Sequence, residues 1–434
     1  MAGDGGARGA RLAEAVLPAR LGVPFRWLWG QSLLDNLADG ILLAAAPLLI
    51  ASLTDDPFPV AMAVFLQRLP WLLFSVFAGA VVDRVDRRRL SMLVGVLRAA
   101  IVAALALVIA TDALSIAAVY VAAFLLGTAE TVADNAASTL VADTVPKAEL
   151  GIANARLVGS LLVTNQMVGP PIGALLFGVG LIHPFTAYAV CMTAGVVLVS
   201  RVELPPGGHV GAERRPVRHE IVEGMRWLWA HAPVRTLALT ITAFNITFGA
   251  AMAVYVLYAR ERLGVDDAGF GLLLSTTAVG GIVGASLYGR LERRFDLGTL
   301  MRVGLVVETA THLCLALLRS AWLVGLVMFV FGVHASVWGT TSTTVRQRAV
   351  PSHLLGRVGS VYLLGSVGAI AIGTVIGGVL ADVFGLTAPF WFAFAGSAVV
   401  TVLMWPMFPL IAHSAEVGPD EETPLPLDGD NSDI

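Results

Sequence analysis

Charged residues are scarce in this sequence: they make up 14% of its 434 residues, against 57% that are hydrophobic. A soluble globular chain carries about 25% charged residues, so this chain has too few to cover a water-facing surface. A formal net charge of −3 also gives no basic field that would attract nucleic acid. The composition therefore excludes an ordinary soluble enzyme, a disordered chain and a nucleic-acid-binding protein.

Lysine, cysteine and clustered histidine are also nearly absent. Lys147, the single lysine, is followed by Ala148, whereas a Walker A phosphate loop needs Gly-Lys-Ser or Gly-Lys-Thr. Cys191 and Cys314 both lie in apolar runs, so they offer no disulfide framework or thiolate metal site. The eight histidines have no metal-ligand spacing, and neither His-Glu-x-x-His nor Gly-x-Ser-x-Gly is present. We therefore expect no ATP hydrolysis, no metal, no cofactor and no enzymatic activity.

Long apolar runs are what the sequence has in abundance. A helix that crosses a bilayer needs about 20 mostly apolar residues, and twelve runs meet this requirement. Most of the connections between them are short, which suits antiparallel neighbours. The sequence thus predicts an all-α membrane protein. The runs lie near 27–50, 60–82, 90–110, 114–138, 156–180, 184–200, 233–257, 269–289, 298–318, 320–343, 358–381 and 388–411.

The basic residues alternate between the two sides of these runs. Short loops rich in Lys and Arg stay in the cytoplasm, and 23 of the 28 basic residues fall in every second loop. This split predicts an even number of spans with both termini in the cytoplasm. The predicted segments are a cytoplasmic N-terminal tail (1–25), a six-helix bundle (26–203), a cytoplasmic linker with an amphipathic helix (204–232), a second six-helix bundle (233–411) and a disordered acidic tail (412–434).

The two halves of the chain repeat each other at a shift of about 205 residues. Residues 79–88 read GAVVDRVDRR and residues 285–294 read ASLYGRLERR, so the Arg-x-acid-Arg-Arg ending is kept. An even number of spans gives both copies the same orientation, which is one of the known plans for transporters. Further matches are Val145-Pro146 with Val350-Pro351, Leu150-Gly151 with Leu355-Gly356, Gly173 with Gly378, Asn36 with Asn245, and Gly40 with Gly249.

At the loop after the second run, the chain resembles the major facilitator superfamily. Residues 79–89 are similar to that superfamily's motif G-x3-D-R-x-G-R-R, except that Asp86 replaces the usual glycine. The phrases QRLPWLLF and ELGIANARL resemble the branch that contains enterobactin-type siderophore exporters and macrolide efflux proteins. The resemblance covers about residues 25–411. It implies the major facilitator fold, with twelve transmembrane helices as two parallel six-helix pseudo-repeats, and a monomer in the cytoplasmic membrane of a bacterium.

The resemblance also implies that the loop motif fastens the two halves together in the outward-facing state. The alternative is a plain positively charged cytoplasmic loop, although charge alone requires neither Gly79 nor Asp83. A glycine permits close approach of a neighbouring helix, and a carboxylate can accept hydrogen bonds from a helix N-terminus. The predicted cytoplasmic gate residues are Gly79, Asp83, Arg84, Arg87, Arg88, Gly289, Arg290, Arg293 and Arg294.

The fifth run is similar to the antiporter motif of exporters, except that its last glycine is Ala174. A proline removes a backbone donor and clashes with the preceding helical turn, so a bend is expected here. The resemblance implies that such a bend seals the cavity against ion leak. The alternative is a kink without function, since Gly and Pro are common in membrane helices. The motif residues are Gly169, Pro170, Pro171 and Gly173.

Several charged residues lie inside the apolar runs of the first half. Each costs about 2.5–3.5 kcal/mol on insertion scales and is therefore a functional candidate. Two acidic pairs, on the first and fourth spans, have members four residues apart and so share a helix face. Four carboxylates with only two arginines leave two that can carry protons; the alternative is that the acids and arginines simply clamp the bundle. The candidate proton-coupling residues are Asp35, Asp39, Glu130, Asp134, Arg68 and Arg98.

The second half has aromatic and amide residues where the first half has acids. At a shift of 209, the acidic positions of the first span become Phe244 and Phe248. We hypothesise that the first half handles protons and the second half supplies an apolar, weakly polar wall for the substrate. Glu308 and His312 are four residues apart on the ninth span, which the resemblance implies is peripheral, so a structural pair is expected there. The predicted substrate-cavity residues are Asn36, Phe244, Asn245, Phe248 and Trp338.

These features predict a secondary transporter that exports small amphipathic or lipophilic compounds, such as a drug, siderophore or natural product, by proton antiport and alternating access. Proton-coupled uptake of a small solute by the same fold is the first alternative. A membrane sensor that transports nothing, or a membrane enzyme, is the second. The expected partners are the small-molecule substrate, protons and the lipid bilayer, but no nucleic acid.

Overall fold

The computed structural model describes residues 19–82, 85–203, 217–351 and 354–408, and these ranges are helical without any β-strand. Eleven of the helices are long and apolar enough to cross a membrane, and a twelfth apolar helix has 17 residues. The predicted all-α membrane protein with twelve transmembrane helices is thereby confirmed. The first to twelfth spans are Gly22–Ala51, Pro57–Val82, Arg87–Ala110, Ile116–Thr144, Leu150–Val179, His183–Val199, Ala232–Met252, Asp267–Arg294, Leu297–Leu317, Ala321–Ala349, Leu355–Phe384 and Ala388–Met404.

Side-chain caps fix the points at which several spans begin. A capping oxygen satisfies one of the backbone N–H groups that the first turn of a helix leaves without a partner. Asp266 accepts from the backbone N–H of Gly269 at 2.8 Å at the start of the eighth span. Asp86 accepts from the backbone N–H of Arg89 at 2.8 Å at the start of the third. The residue that departs from the loop motif is therefore the N-cap of the next helix.

The repeat is visible in the way that glycines bring spans together. The first span touches the fifth, and the seventh touches the eleventh. A methyl group at Gly40 would lie 2.4 Å from the carbonyl oxygen of Asn165, and one at Gly249 would lie 2.4 Å from that of Ile370. Both contacts are backbone to backbone. Gly249 and Ile370 are the counterparts of Gly40 and Asn165 in the repeat. The two halves therefore use the same close helix contact.

A second pair of glycines corrects the register of the sequence match. A methyl group at Gly173 would lie 2.2 Å from the carbonyl oxygen of Ile41, and one at Gly377 would lie 2.2 Å from that of Ala250. The structural counterpart of Gly173 is therefore Gly377. The match with Gly378 was wrong by one residue, because Gly378 faces the second span across the boundary between the halves.

Among the described residues, the two halves share a buried core at one end of the bundle only. At that end a single apolar cluster contains Leu48 of the first half and Phe270 of the second. Arg260 of the second half also donates to the carbonyl oxygen of Ala51 at 3.2 Å. At the other end, where the first span begins at Gly22, the described residues form separate clusters for each half. The bundle is thus closed at the end opposite Gly22.

A helix at Val217–Ala230 lies within the predicted linker. It packs against the eleventh span, where Glu223 forms an ion pair with Arg357 at 2.7 Å. Met225 and Trp229 remain exposed on another face of this helix. The helix therefore has one face bound to the bundle and an apolar face open to its surroundings. Residues 1–18, 204–216 and 409–434, which include the predicted acidic tail, lie outside the described residues.

Candidate functional site

An ion pair between a buried arginine and a half-buried aspartate joins the first and third spans inside the first half. Arg98 donates from Nη2 to Oδ1 of Asp39, and the side chain of Arg98 is only 7% exposed. The guanidinium carbon also lies 5.8 Å from the ring centroid of Tyr188 on the sixth span, a cation–π distance. One of the four predicted carboxylates thus has its counter-charge on the third span.

Asp35 lies one helical turn away from this pair, on the same face of the first span. Gln31 donates from Nε2 to Oδ2 of Asp35 at 3.0 Å, and the same nitrogen lies 3.1 Å from the Ser91 hydroxyl. Gly195 of the sixth span makes room for the carboxylate, since a methyl group there would lie 2.5 Å from Oδ1. Asp35 interacts electrostatically with Arg98, but its direct neighbours are a neutral amide and a glycine.

The remaining charged candidates of the first half are placed differently. Glu130 is half-buried on the fourth span and interacts electrostatically with Arg98 without contacting it in an ion pair. Asp134 lies in the same helix, but its side chain is outside what the structure describes. Arg68 is exposed on the second span and has no ion-pair partner among the described residues. Arg98 therefore interacts with three of the four predicted acids, Asp39, Glu130 and Asp35. Arg68 takes no part in this group.

A cavity of about 280 Å³ lies inside the second half, between the seventh, ninth, tenth and eleventh spans. Four of the five predicted substrate-cavity residues line it: Phe244, Asn245, Phe248 and Trp338. The ring of Phe248 stacks on that of Phe331 with centroids 5.4 Å apart and planes at 4°. Phe244 and Trp338 form a second aromatic pair at 6.4 Å. Aromatic faces on two sides give this cavity a mainly apolar lining.

The two matched asparagines have different surroundings. Asn245 donates from Nδ2 to the hydroxyl of Ser366 on the eleventh span and to its carbonyl oxygen at 3.1 Å. Asn36 donates to the carbonyl oxygen of Ser32 at 2.7 Å within its own helix. Asn245 therefore ties two spans together at the cavity wall, whereas Asn36, the fifth predicted residue, lies in the other half.

A buried cluster of one acid and two imidazoles forms part of the cavity wall. His334 Nε2 of the tenth span lies 3.1 Å from Oε2 of Glu308, and His312 Nε2 lies 3.3 Å from Oε1. Glu308 is 7% exposed and His312 is fully buried. The i, i+4 spacing revealed Glu308 and His312, but no sequence signal pointed to His334, since it approaches from another span. No group of three such side chains in the described ranges has the geometry to hold a metal ion.

In the first copy of the predicted gate motif, the contact given by the described residues lies inside its own half. Gly79 lies near the end of the second span and Arg87 begins the third. Arg88 donates from Nη2 to the carbonyl oxygen of Ser200, at the end of the sixth span. This contact holds the loop against the first bundle. Asp83 and Arg84 lie outside the described residues.

The second copy of the gate motif forms the end of the eighth span. Its three arginines are exposed and have no ion-pair partner in the part of the chain that the structure describes. No side chain crowds its glycine, whose nearest neighbour would be a guanidinium nitrogen at 3.9 Å. This copy thus differs from the first, in which the carbonyl oxygen of Ser200 accepts from Arg88. This copy consists of Gly289, Arg290, Arg293 and Arg294.

The fifth span changes its winding just before its two prolines. Residues Leu161–Val168 form a π-helix, and the α-helix resumes at Gly169 with the proline pair in its first turn. Because Pro171 has no N–H, the carbonyl oxygen of Met167 lacks the donor that an α-helix would supply. The hydroxyl of Ser275 on the eighth span lies 2.9 Å from this oxygen as a donor, and 3.1 Å from the carbonyl oxygen of Gly271 in its own helix. The motif therefore creates an acceptor that binds the other half.

The chain matches one protein family over most of its length: residues 14–427 match the family described as transmembrane secretion effector. The multidrug efflux pump Tap of Mycolicibacterium fortuitum is 29% identical and is aligned over 83% of this chain and 89% of its own. Macrolide efflux protein A of Streptococcus pyogenes is 24% identical, over 87% and 94%. The enterobactin exporter EntS of Citrobacter koseri is 23% identical, over 81% and 84%. The predicted branch is confirmed by these relatives.

Solved structures with the same arrangement of helices include transporters of other substrates. A mutant of the nucleoside transporter NupG has a TM-score of 0.74 at 12% identity and covers 90% of this chain and 100% of its own. A bacterial homologue of the iron transporter ferroportin in an inward-facing state has a TM-score of 0.71 at 15% identity, with 90% and 98% covered. At these identities the likeness shows the fold alone.

Proposed function

We propose, from the premise that the chain belongs to the transmembrane secretion effector family, that it exports small amphipathic or lipophilic compounds by proton antiport. The chain has the major facilitator fold and is a transporter, not an enzyme. The similarity to exporters supports the proposed direction of transport. A multidrug efflux pump, a macrolide efflux protein and an enterobactin exporter each align with at least 81% of this chain. A drug, a siderophore or another natural product is the proposed substrate.

The cavity in the second half supports this substrate class. Its volume of about 280 Å³ is just below the range for small-molecule sites, about 300–1,000 Å³. Such sites combine aromatic surface with a few polar groups that orient the ligand. Phe244, Phe248 and Trp338 provide the surface, and Asn245 and Glu308 provide the polar groups. A flat or branched amphipathic molecule fits this lining better than a sugar or an inorganic ion.

The acids around Arg98 support proton coupling. Asp39 is 26% exposed, so water can deliver a proton to it, whereas Arg98 is buried. Protonation of Asp39 would remove the charge that holds the guanidinium, and a buried cation without a partner is costly. The guanidinium would then turn towards Glu130 or Asp35, with which it already interacts electrostatically. Proton binding is thereby converted into a change of contacts between spans.

The closed end of the bundle supports alternating access. If the loops rich in basic residues lie in the cytoplasm, the Gly22 end faces inwards and the core shared by the two halves seals the outside. An exporter loads its substrate in this inward-facing state. The halves would then move against each other at the contacts between the second and eleventh spans and between the fifth and eighth. In this proposal both termini lie on the cytoplasmic side.

The test is compound accumulation in bacteria that lack their main exporters. Cells that express the protein should accumulate less of at least one compound from a panel of macrolides, siderophores and lipophilic cations, and a protonophore should restore accumulation. The Asp39→Asn variant should lose this effect. Asp112→Asn, an exposed acid in the loop after the third span, is the matched control and should keep it, with both variants quantified in isolated membranes.

Three outcomes would contradict the proposal at different points. Higher accumulation with the wild-type protein would indicate uptake. Full activity of Asp39→Asn would exclude this carboxylate from proton coupling. An unchanged accumulation of every compound in the panel would refute the proposed substrate class.

A further inference from the structure

The cavity of the second half has only two titratable side chains among its described lining residues, Glu308 and His334. A carboxylate that is 7% exposed in an apolar cavity is costly to keep ionised unless charged or hydrogen-bonding partners surround it. His334 on one side at 3.1 Å and His312 on the other at 3.3 Å are those partners. The ninth span was expected to be peripheral, but its acid borders the cavity.

The charge of this cluster depends on its two imidazoles. With Glu308 ionised, the cluster carries −1 when both histidines are neutral, 0 when one is protonated and +1 when both are. A neutral imidazole and an imidazolium cation are both ordinary states of a histidine side chain. His312 is fully buried and neither of its ring nitrogens makes a hydrogen bond of good geometry in the described residues.

In the part of the chain that the structure describes, no other charged group is close enough to Glu308 to replace the imidazoles. The twelfth span, which packs against the ninth, contains no titratable residue. Arg302 donates to the carbonyl oxygen of Trp405 at 3.1 Å, and Arg346 lies 3.8 Å from the ring centroid of Tyr362. Apart from the cluster itself, the surrounding spans have other titratable residues further along each helix. They are Arg235 on the seventh, Tyr288 on the eighth, Arg302 and Cys314 on the ninth, Arg346 on the tenth and Tyr362 on the eleventh.

The indole of Trp338 adds a second unsatisfied group beside the cluster. Its buried Nε1 has no acceptor among the described residues, although buried polar groups normally find one. The Trp338 ring centroid lies 6.0 Å from that of His334. Gly304 permits this approach, because a methyl group there would lie 2.8 Å from the indole and 2.9 Å from the imidazole. An acid, aromatic faces and an open donor together describe a site for a ligand with a positive charge, apolar groups and an acceptor.

We propose that Glu308, His312 and His334 form a site where an amphipathic organic cation and a proton compete. Glu308 binds the positive charge of the ligand while Phe244 and Phe248 contact its apolar groups. The cluster attracts the cation when both imidazoles are neutral and repels it when they are protonated, so binding of a monovalent cation displaces about one proton. By linkage, the proton weakens cation binding by the same factor as the cation weakens proton binding. This inference rests on the proposed export and names its substrate class.

Titration calorimetry on the full chain in lipid nanodiscs tests the competition directly. Tetraphenylphosphonium is the probe, because its positive charge does not change with pH. Triphenylphosphine oxide is the neutral control of similar shape. Between pH 6 and pH 8 the Kd of the cation should fall by up to about tenfold per pH unit, the value for release of one proton. Buffers of different ionisation enthalpy should count that proton, and the Kd of the neutral control should not change.

Substitutions assign the effect to the cluster. Glu308→Gln keeps the size of the side chain and should weaken cation binding at pH 8 by about tenfold or more, abolish its pH dependence and leave the neutral control bound. His334→Gln should retain cation binding at pH 8 but reduce the number of protons released. Glu261→Gln, an exposed acid after the seventh span, should behave as the wild type. If Glu308→Gln does not fold, the histidine variant still carries the test.

Three results would overturn the inference. They are no binding of tetraphenylphosphonium at any pH, binding that does not depend on pH, and wild-type affinity in Glu308→Gln. Each can occur while the cell assay still shows protonophore-sensitive export, in which case the proposed function stands without this site. Failure of the cell assay itself would instead remove the premise.

Discussion

Replacement of Gly173 with alanine should force the first and fifth spans apart. The new methyl group would lie 2.2 Å from the carbonyl oxygen of Ile41 and 2.9 Å from its Cα. Favourable contact between such atoms begins at about 3.5 Å, so the two backbones would have to separate by about 1 Å. A backbone carbonyl cannot rotate away as a side chain can. The strain is therefore carried by the whole helix pair.

The expected loss of stability follows from two opposing effects. Overpacking of a tight contact typically costs about 1–3 kcal/mol, and we take about 3 because backbone atoms collide. Alanine recovers about 1 kcal/mol over glycine in a helix interior. The net change for Gly173→Ala is thus a loss of about 2 kcal/mol. Gly178, on the same helix, has no atom within 4 Å of a new methyl group, so Gly178→Ala should gain up to about 1 kcal/mol.

The assay is the free energy of unfolding of each purified variant in one detergent, together with transport in cells. Gly173→Ala should be less stable than Gly178→Ala by about 3 kcal/mol. Gly377→Ala should resemble Gly173→Ala, since its methyl group would lie 2.2 Å from the carbonyl oxygen of Ala250. Equal stability of Gly173→Ala and Gly178→Ala would refute the reasoning from close contact. A difference between Gly173→Ala and Gly377→Ala would refute the equivalence of the two halves.

Other contacts give sharper tests of single interactions. Asp39→Asn leaves Arg98 buried without its direct counter-charge and should lower the free energy of unfolding by about 3 kcal/mol. The double variant with Arg98→Gln should recover at least half of this loss in the same unfolding assay. No recovery would mean that the two residues are not coupled. Ser275→Ala removes a hydrogen bond between the halves and should cost about 1 kcal/mol, whereas Thr276→Ala loses only a bond within its own helix; equal effects would deny the contact across the halves. Asp86→Ala should cost about 1 kcal/mol through loss of an N-cap, and Asp86→Asn should not.

The number of spans and the repeat could be predicted from the sequence because both depend on local composition. The Gly40 and Gly249 match also held in three dimensions, since each glycine meets the corresponding carbonyl oxygen in its own half. The match of Gly173 with Gly378 failed because two adjacent glycines, at 377 and 378, both fit a comparison of letters. Only the helix contact distinguishes the glycine that faces inwards from the one that faces the other half.

The candidate site was predictable to the extent that its residues share one helix. The acidic pair of the first span and the partner candidate Arg98 followed from charge inside an apolar run, and the structure joins Arg98 to Asp39. The cluster at Glu308 was seen only in part. His334 is 26 residues from Glu308 on another span, and a contact of that kind leaves no periodic signal in a single sequence.

The hydrogen bond between Ser275 and Met167 has a consequence for biogenesis. The ribosome completes the fifth span before the eighth, so the first half enters the bilayer with a carbonyl oxygen that lacks the N–H donor of an ordinary α-helix. Lipid tails offer no donor, and an unsatisfied backbone group in the membrane is costly. The first half therefore gains a stabilising contact only when the eighth span arrives and supplies its hydroxyl. A proline pair that weakens one helix thus stabilises the assembled pair of halves relative to the two separate halves.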